Sequence, residues 1–413
     1  MSMGRKVLIS FLGTGAFSVK ENRTYKTAHY KMGNVDLGDY SFVAAALERH
    51  YHIDSTYLLG TVHSMWEEVY RWHMEDDGKK PDDDIYLNIA EACENSNHQS
   101  KLSIPHQDAI EQALGGESKV ILIKYGITEQ EIRDNINIIL GIEHFLQNGD
   151  ELVVDITHSF RSLPIFIMNL LVYLQNVSKK EITISHIHYG MLDIIRELEF
   201  APIIDLKSIL EINNWITGAY SFSEFGNAYM ISQLMEKEDK SVSTLLNNFS
   251  NIMNLNHLFA MRTESQRLAS IKNKTYETTL PALIISPIVQ SFVGIFNPQK
   301  NAKDSVFQLN VANWQIRHRK YAQAFLTLNE AIISYVCEIN RLSCDNFNDR
   351  EMAKDALNGK CPTLQCDQSL KDIYHDIKGL RNATAHVLKT RTGINSMINK
   401  LNRASSELNK IIV

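Results

Sequence analysis

Residues 151–164, ELVVDITHSFRSLP, decide how the front of this chain folds. The run from Glu151 to Thr157 is apolar at Leu152, Val153, Val154 and Ile156, as expected for a strand buried on both faces. Pro164 suits the first turn of a helix, and the greasy stretch LPIFIMNLLVYLQNV from Leu163 supplies that helix. Thr157, His158, Ser159 and Arg161 therefore fall in a strand-to-helix loop. In an open α/β sheet such a loop sits at the carboxyl edge, where ligands bind and a helix amino terminus favours phosphate. The competing reading is an ordinary satisfied turn with a solvated arginine.

Working outward, strand-like and helix-like stretches alternate. KVLISFLG (6–13) is another apolar run ending in glycine, DYSFVAAALERHY (39–51) has helical spacing, and STYLLGT (55–61) is strand-like. KVILIKYG (119–126) reads as a buried strand before TEQEIRDNINIILGIEHFL (128–146), a helix with Thr128 as N-cap and Glu131 completing a capping box. EITISHIHYGML (181–192) closes the series. The alternation predicts an α/β, Rossmann-like first domain with a mostly parallel, doubly wound sheet.

Past residue 204 the pattern changes to apolar positions three and four apart, as in YAQAFLTLNEAIISYVCEINRL (321–342). That spacing predicts an all-α second domain, with the boundary between 204 and 205. Two domains also suit 413 residues, because single cores rarely grow beyond about 250–300. The Pro and Asn-Pro turn signals of 270–310 make it the least regular stretch.

Composition narrows the class. At 44% hydrophobic and 22% charged the chain is of ordinary globular type. The segment from Leu163 falls short of the roughly 20 apolar residues of a bilayer span, and the apolar run near the start reads as a strand rather than a leader. A cytoplasmic protein with no membrane partner follows. Five cysteines, an odd number without a C-x-x-C, read as reduced thiols with no metal centre; CPTLQC (361–366) lacks a matching second pair. Residues 301–413 hold 16 Lys and Arg against 11 Asp and Glu, a net of +5. The first 300 hold 26 against 37, a net of −11, so a polyanion is expected on the back part.

Two other front-half motifs reach the same sheet edge. GTG (13–15) places Thr14 between Gly13 and Gly15, which let a backbone approach a ligand. Position 18 is Ser, so the dinucleotide fingerprint is absent, and with the long helical back half this disfavours a nicotinamide-dependent oxidoreductase, the third reading of the Rossmann-like front. HIHYG (186–190) offers His186, His188 and Tyr189, read as a polar strand face in preference to a metal pair.

Near the carboxyl end, RNATAH brings together Arg381, Asn382 and His386. RNA carries its own nucleophile, the 2′-hydroxyl, so cleavage needs an acid/base and a cation on the phosphate. Histidine and arginine supply both without metal, and Asn382 can orient the phosphate. On one helix, side chains five apart diverge by about 140°. A shared site therefore needs a helix break, which Gly379 would supply, or a second copy of the chain. A surface arginine beside a half-buried histidine is the alternative.

VLISFLGTG, DITHSFRSLP and RNATAH, in that order, resemble the CARF–HEPN ribonucleases, ancillary nucleases of type III CRISPR systems. The resemblance implies a CARF domain over 1–204, a helical HEPN domain over 205–413, and a homodimer. It implies one symmetric pocket for cyclic tetra- or hexaadenylate, an allosteric activator, contacted by Gly13, Thr14, Gly15, Thr157, His158, Ser159, Arg161 and Tyr189. It further implies a composite site for single-stranded RNA with Arg381, Asn382 and His386 catalytic, and no cofactor. The alternative is a non-catalytic nucleotide sensor whose helical domain binds a partner or DNA through the basic residues Lys389, Arg391, Lys400, Arg403 and Lys410.

Overall fold

Strands β1 (Lys6–Leu12), β4 (Ser55–Gly60), β5 (Lys119–Leu122), β6 (Glu151–Asp155) and β7 (Thr183–Gly190) lie side by side, all parallel. The computed structural model describes residues 4–17, 24–158, 162–269, 287–289, 291–292, 294–296, 302–385 and 393–413. Contacts divide the chain into two compact units, Met1–Glu211 and Ile212–Val413. The boundary expected at 204/205 falls at the end of the last strand.

The first unit holds one eight-stranded sheet in the order β3-β2-β8-β7-β6-β1-β4-β5. Period-two alternation makes both faces of β1 apolar. Leu8 and Leu12 join Leu58 and Val153 beneath α1 (Val43–Tyr51), α2 (Trp66–Asp76), α3 (Asp83–Glu94) and α4 (Gln107–Leu114). Val7, Ile9 and Phe11 join Tyr57, Leu59 and Val154 beneath α5 (Glu129–Leu140) and α6 (Leu163–Asn176). Helices on both faces of a mostly parallel sheet are the predicted α/β architecture.

The sheet departs from a purely parallel one at its far side. HIHYG does not close the series. A short helix, α7 (Ile195–Leu198), and strand β8 (Ala201–Asp205) follow, with β8 antiparallel to β7. The hairpin β2 (Ala28–Met32) and β3 (Val35–Tyr40) then extends the sheet beyond β8. Of KVILIKYG only the first four residues form a strand, because Asn135 of α5 takes both backbone groups of Lys124. Thr128 caps α5 as expected, but Glu131 reaches the amides of Gly126 and Ile127 rather than that of Thr128. Pro164 lies in the first turn of α6.

The second unit is helical throughout its described residues. The chain crosses into it along α8 (Lys207–Phe225) and continues through α9 (Tyr229–Met235), α10 (Lys240–Leu255) and α11 (Leu258–Ala269). Then come α12 (Asp304–Arg317), α13 (Tyr321–Ile339), α14 (Phe347–Leu357), α15 (Gln368–Ala385) and α16 (Ile394–Ile412). Two apolar clusters meet at α12. Phe307, Val311 and Trp314, at helical spacing, face the first, and Leu309 and Ala312 face the second with α13 to α16. No described helix is long and apolar enough to cross a membrane.

Candidate functional site

From β1 the sheet grows to one side through β4 and β5, and to the other through β6 and β7. The order therefore reverses between β1 and β6, and their carboxyl ends diverge at a topological switch point. A cavity of about 560 Å³ lies there, lined by Gly13, Thr14 and Gly15 after β1 and by Thr157 and His158 after β6. Gly60, Thr61 and Ser64 close it from β4, and Lys26, Thr27, Ala28 and Tyr30 from the strap that enters and forms β2.

Side-chain hydrogen bonds hold these loops together. Ser64 Oγ donates to the Leu12 carbonyl at 2.8 Å and accepts the Thr61 amide at 3.0 Å. The Met65 amide donates to the Gly13 carbonyl at 3.1 Å. Gly15 has φ +65°, and a Cβ there would stand 2.5 Å from the Tyr25 ring and 2.6 Å from Met65 Sδ. Only glycine fits that turn. Tyr25 is itself anchored, donating to Glu67 Oε1 at 2.5 Å; burial pushes the Glu67 carboxyl upward.

Beneath the cavity Asp155 is fully buried, with 0% exposure. Its Oδ2 accepts the Ser10 hydroxyl at 2.5 Å, and its Oδ1 accepts the amide of Thr157 at 3.0 Å and its hydroxyl at 2.5 Å. Burial raises its pKa to about 6, and these donors work against that rise. His158 Nε2 is buried without a hydrogen-bond partner among the described residues, and desolvation holds the imidazole down at about 4. The ring is therefore neutral at pH 7.

Five of the expected ligand residues, Gly13, Thr14, Gly15, Thr157 and His158, thus converge on one cavity. Ser159 and Arg161 lie outside the described residues. Tyr189 pairs with Ile204 across β7 and β8 and does not line the cavity. His186 and His188 stack at 5.2 Å, His186 Nδ1 meeting Asp205 at 2.7 Å and His188 Nε2 meeting the Tyr51 hydroxyl at 2.8 Å. They form a polar strand face. Sequence reasoning passed over Lys26, among the described residues the one lysine or arginine on the cavity wall, exposed and in no described ion pair. Its signal was the basic character of the loop after Gly-Thr-Gly.

In the second unit the buried stripe Leu370, Ile373, Tyr374, Ile377 and Leu380 runs along α15 and leads to Arg381. Arg381 Nη1 donates to Asn382 Oδ1 at 3.0 Å, while its Nε is buried and unpaired among the described residues. The helix continues through Gly379 to Ala385 without a break, so of the two routes to a shared site the break at Gly379 is not present. His386 lies outside the described residues. Among those described, Asp304, Glu338 and Cys344 bring ligand-type atoms within 4.8 Å of one another. Arg262 already pairs with Asp304, and Ser305 donates twice to Glu338, so both carboxylates have protein partners. Of the basic residues in the DNA-binding alternative, Lys400 pairs with Asp376 at 3.5 Å and Arg403 with Glu407 at 2.8 Å. Lys389 and Arg391 lie outside the described residues.

Residues 7–193 match the family model described as CRISPR system endoribonuclease Csx1, CARF domain. The first unit carries a CARF domain. The cavity at its switch point is therefore the CARF cavity. Residues 211–301 match the model of the second domain of CRISPR-associated protein MJ1674. The chain is 33% identical over 408 residues to CRISPR-associated protein MJ1674 of Methanocaldococcus jannaschii, an alignment covering 94% of this chain. It spans 63% of that relative's length. Enterococcus italicus Csm6 bound to cyclic hexa-2′-fluoro-hexa-dAMP aligns with a TM-score of 0.39 at 13% identity, over 99% of this chain and 93% of that one. So loose a superposition carries no geometry across.

Proposed function

We propose that the chain senses a cyclic oligoadenylate in its CARF cavity and responds as a metal-independent endoribonuclease on single-stranded RNA in type III CRISPR defence. The observation that carries this reading is the cavity itself. It sits at the switch point of a CARF domain and, among the described residues, has one lysine or arginine on its wall, Lys26, in no ion pair, and a buried neutral imidazole, His158, whose Nε2 has no partner. A phosphodiester ligand answers the cation, and the edge of an adenine answers the imidazole.

For the nuclease arm we assign catalysis to Arg381, Asn382 and His386, the arginine stabilising the phosphate and the histidine moving the proton of the 2′-hydroxyl. The reading includes a homodimeric site: side chains five apart on one helix would diverge by about 140°, and the described helix runs unbroken from Gln368 through Arg381 to Ala385. A two-fold ligand is then an apt switch, because it biases how two copies pack.

The test is cleavage of single-stranded RNA in EDTA, with and without cyclic tetra- and hexaadenylate. Cleavage that depends on one ring and vanishes in His386→Ala supports the reading, and cleavage that ignores both rings sinks it. Tight ring binding with no cleavage would favour the alternative sensor, whose helical unit binds a partner or DNA.

A further inference from the structure

We infer that Asp155 is a positioning residue of the CARF cavity, and that the Thr157 hydroxyl is a latch on that carboxylate rather than a group that reads the ligand. This inference rests on the ligand-sensing reading above. A threonine hydroxyl has one proton to give and two lone pairs to accept with. The Thr157 proton goes to Asp155 Oδ1 at 2.5 Å, and the oxygen accepts the Gly190 amide at 2.7 Å. No donor is left to offer a ligand, although the residue lines the cavity.

The network spans three strands. Ser10 of β1, Asp155 of β6 and Gly190 of β7 are joined through one carboxylate and one hydroxyl. Asp155 does not line the cavity and has no exposed surface, so it acts through the neighbours hydrogen-bonded to it, of which Thr157 lines the cavity. Gly190 fits the same latch, since a Cβ there would stand 3.1 Å from both Thr157 Oγ1 and Thr157 Cγ2. The next residue, His158, has an Nε2 that is unpaired among the described residues. Thr157 is thus committed to the frame, and His158 is the described side chain at this strand end with a hydrogen bond still to make.

Three variants separate a latch from a contact. Thr157→Val keeps the shape and removes the hydroxyl, Thr157→Ser keeps the hydroxyl, and Asp155→Asn weakens the acceptor without touching the cavity. Amide hydrogen exchange of the segment ending at Gly190, and the imidazole signals of His158, are read on the ligand-free protein. Affinity for cyclic tetra- and hexaadenylate is read beside them.

The latch predicts that Gly190 exchange speeds up about tenfold or more in Thr157→Val, less in Asp155→Asn and not in Thr157→Ser. The His158 signals should move in the same order, and affinity should fall in that order. Weaker binding in Thr157→Val with unchanged Gly190 exchange would make Thr157 a ligand contact and overturn the inference. Wild-type binding by Thr157→Val overturns it equally. If the wild-type protein binds neither ring, the ligand reading fails by itself, and exchange and the His158 signals still decide the latch.

Discussion

Arg381 and Asn382, neighbours on α15, are hydrogen-bonded to each other, Nη1 to Oδ1 at 3.0 Å. The contact turns one corner of the guanidinium along the helix while Nε stays buried and unpaired among the described residues. A phosphate approaching Arg381 therefore meets a side chain already oriented by its neighbour. Under the proposed RNase function, Arg381→Ala should lower ligand-stimulated RNA cleavage by about a hundredfold or more, and Asn382→Ala by about tenfold. Ring affinity should be unchanged in both. A gel assay of cleavage beside calorimetry of ligand binding checks the pair.

Among the described residues, Lys26 is the one lysine or arginine on the cavity wall. Lys26→Ala is expected to weaken cyclic oligoadenylate binding about tenfold or more, as losing a charged hydrogen bond does. The salt dependence of binding should flatten at the same time, since one counter-charge to the phosphates is gone. Titrations at two salt concentrations decide it. An unchanged slope would place the phosphates elsewhere.

Asp155 and His158 respond to acid in opposite senses. The Asp155 pKa is raised from 3.8 to about 6, so its contribution to stability is full below 3.8 and is lost as pH rises through 6. The His158 pKa is lowered from 6.5 to about 4, so its contribution is full above 6.5 and is lost as pH falls through 4. Each is on the order of 3 kcal/mol, and the two largely offset between pH 4 and 6. Asp155→Asn should therefore lose Tm faster than wild type from pH 6.5 to 4, and His158→Gln more slowly. Thermal melts across that range give the slopes.

Gly15 occupies a turn at φ +65° against Tyr25 and Met65. Gly15→Ala combines an unfavourable backbone with a contact against a ring that Glu67 holds in place, and should cost about 1–3 kcal/mol. Because Gly15 and Lys26 lie on the same cavity wall, ring affinity should drop alongside Tm. Stability lost with affinity intact would separate this turn from the site.

The apolar runs at 6–13, 55–61 and 151–157 announced the central strands, because a strand buried on both faces must be apolar at nearly every position. Pro164 and the polar cluster before it announced the loop at the sheet edge in the same way. These are local properties, legible from the residue order alone. The hairpin of β2 and β3 was not legible, since its short half-exposed strands hold their place through pairing with β8 rather than through their own apolar content. The hydrogen bonds of Thr157, by contrast, arise from long-range packing. Ser10 lies 145 residues before Asp155, and Gly190 lies 33 residues after Thr157. A hydroxyl that looks free in the sequence is claimed by partners that folding brings to it, and Lys26 becomes a cavity residue by the same closure.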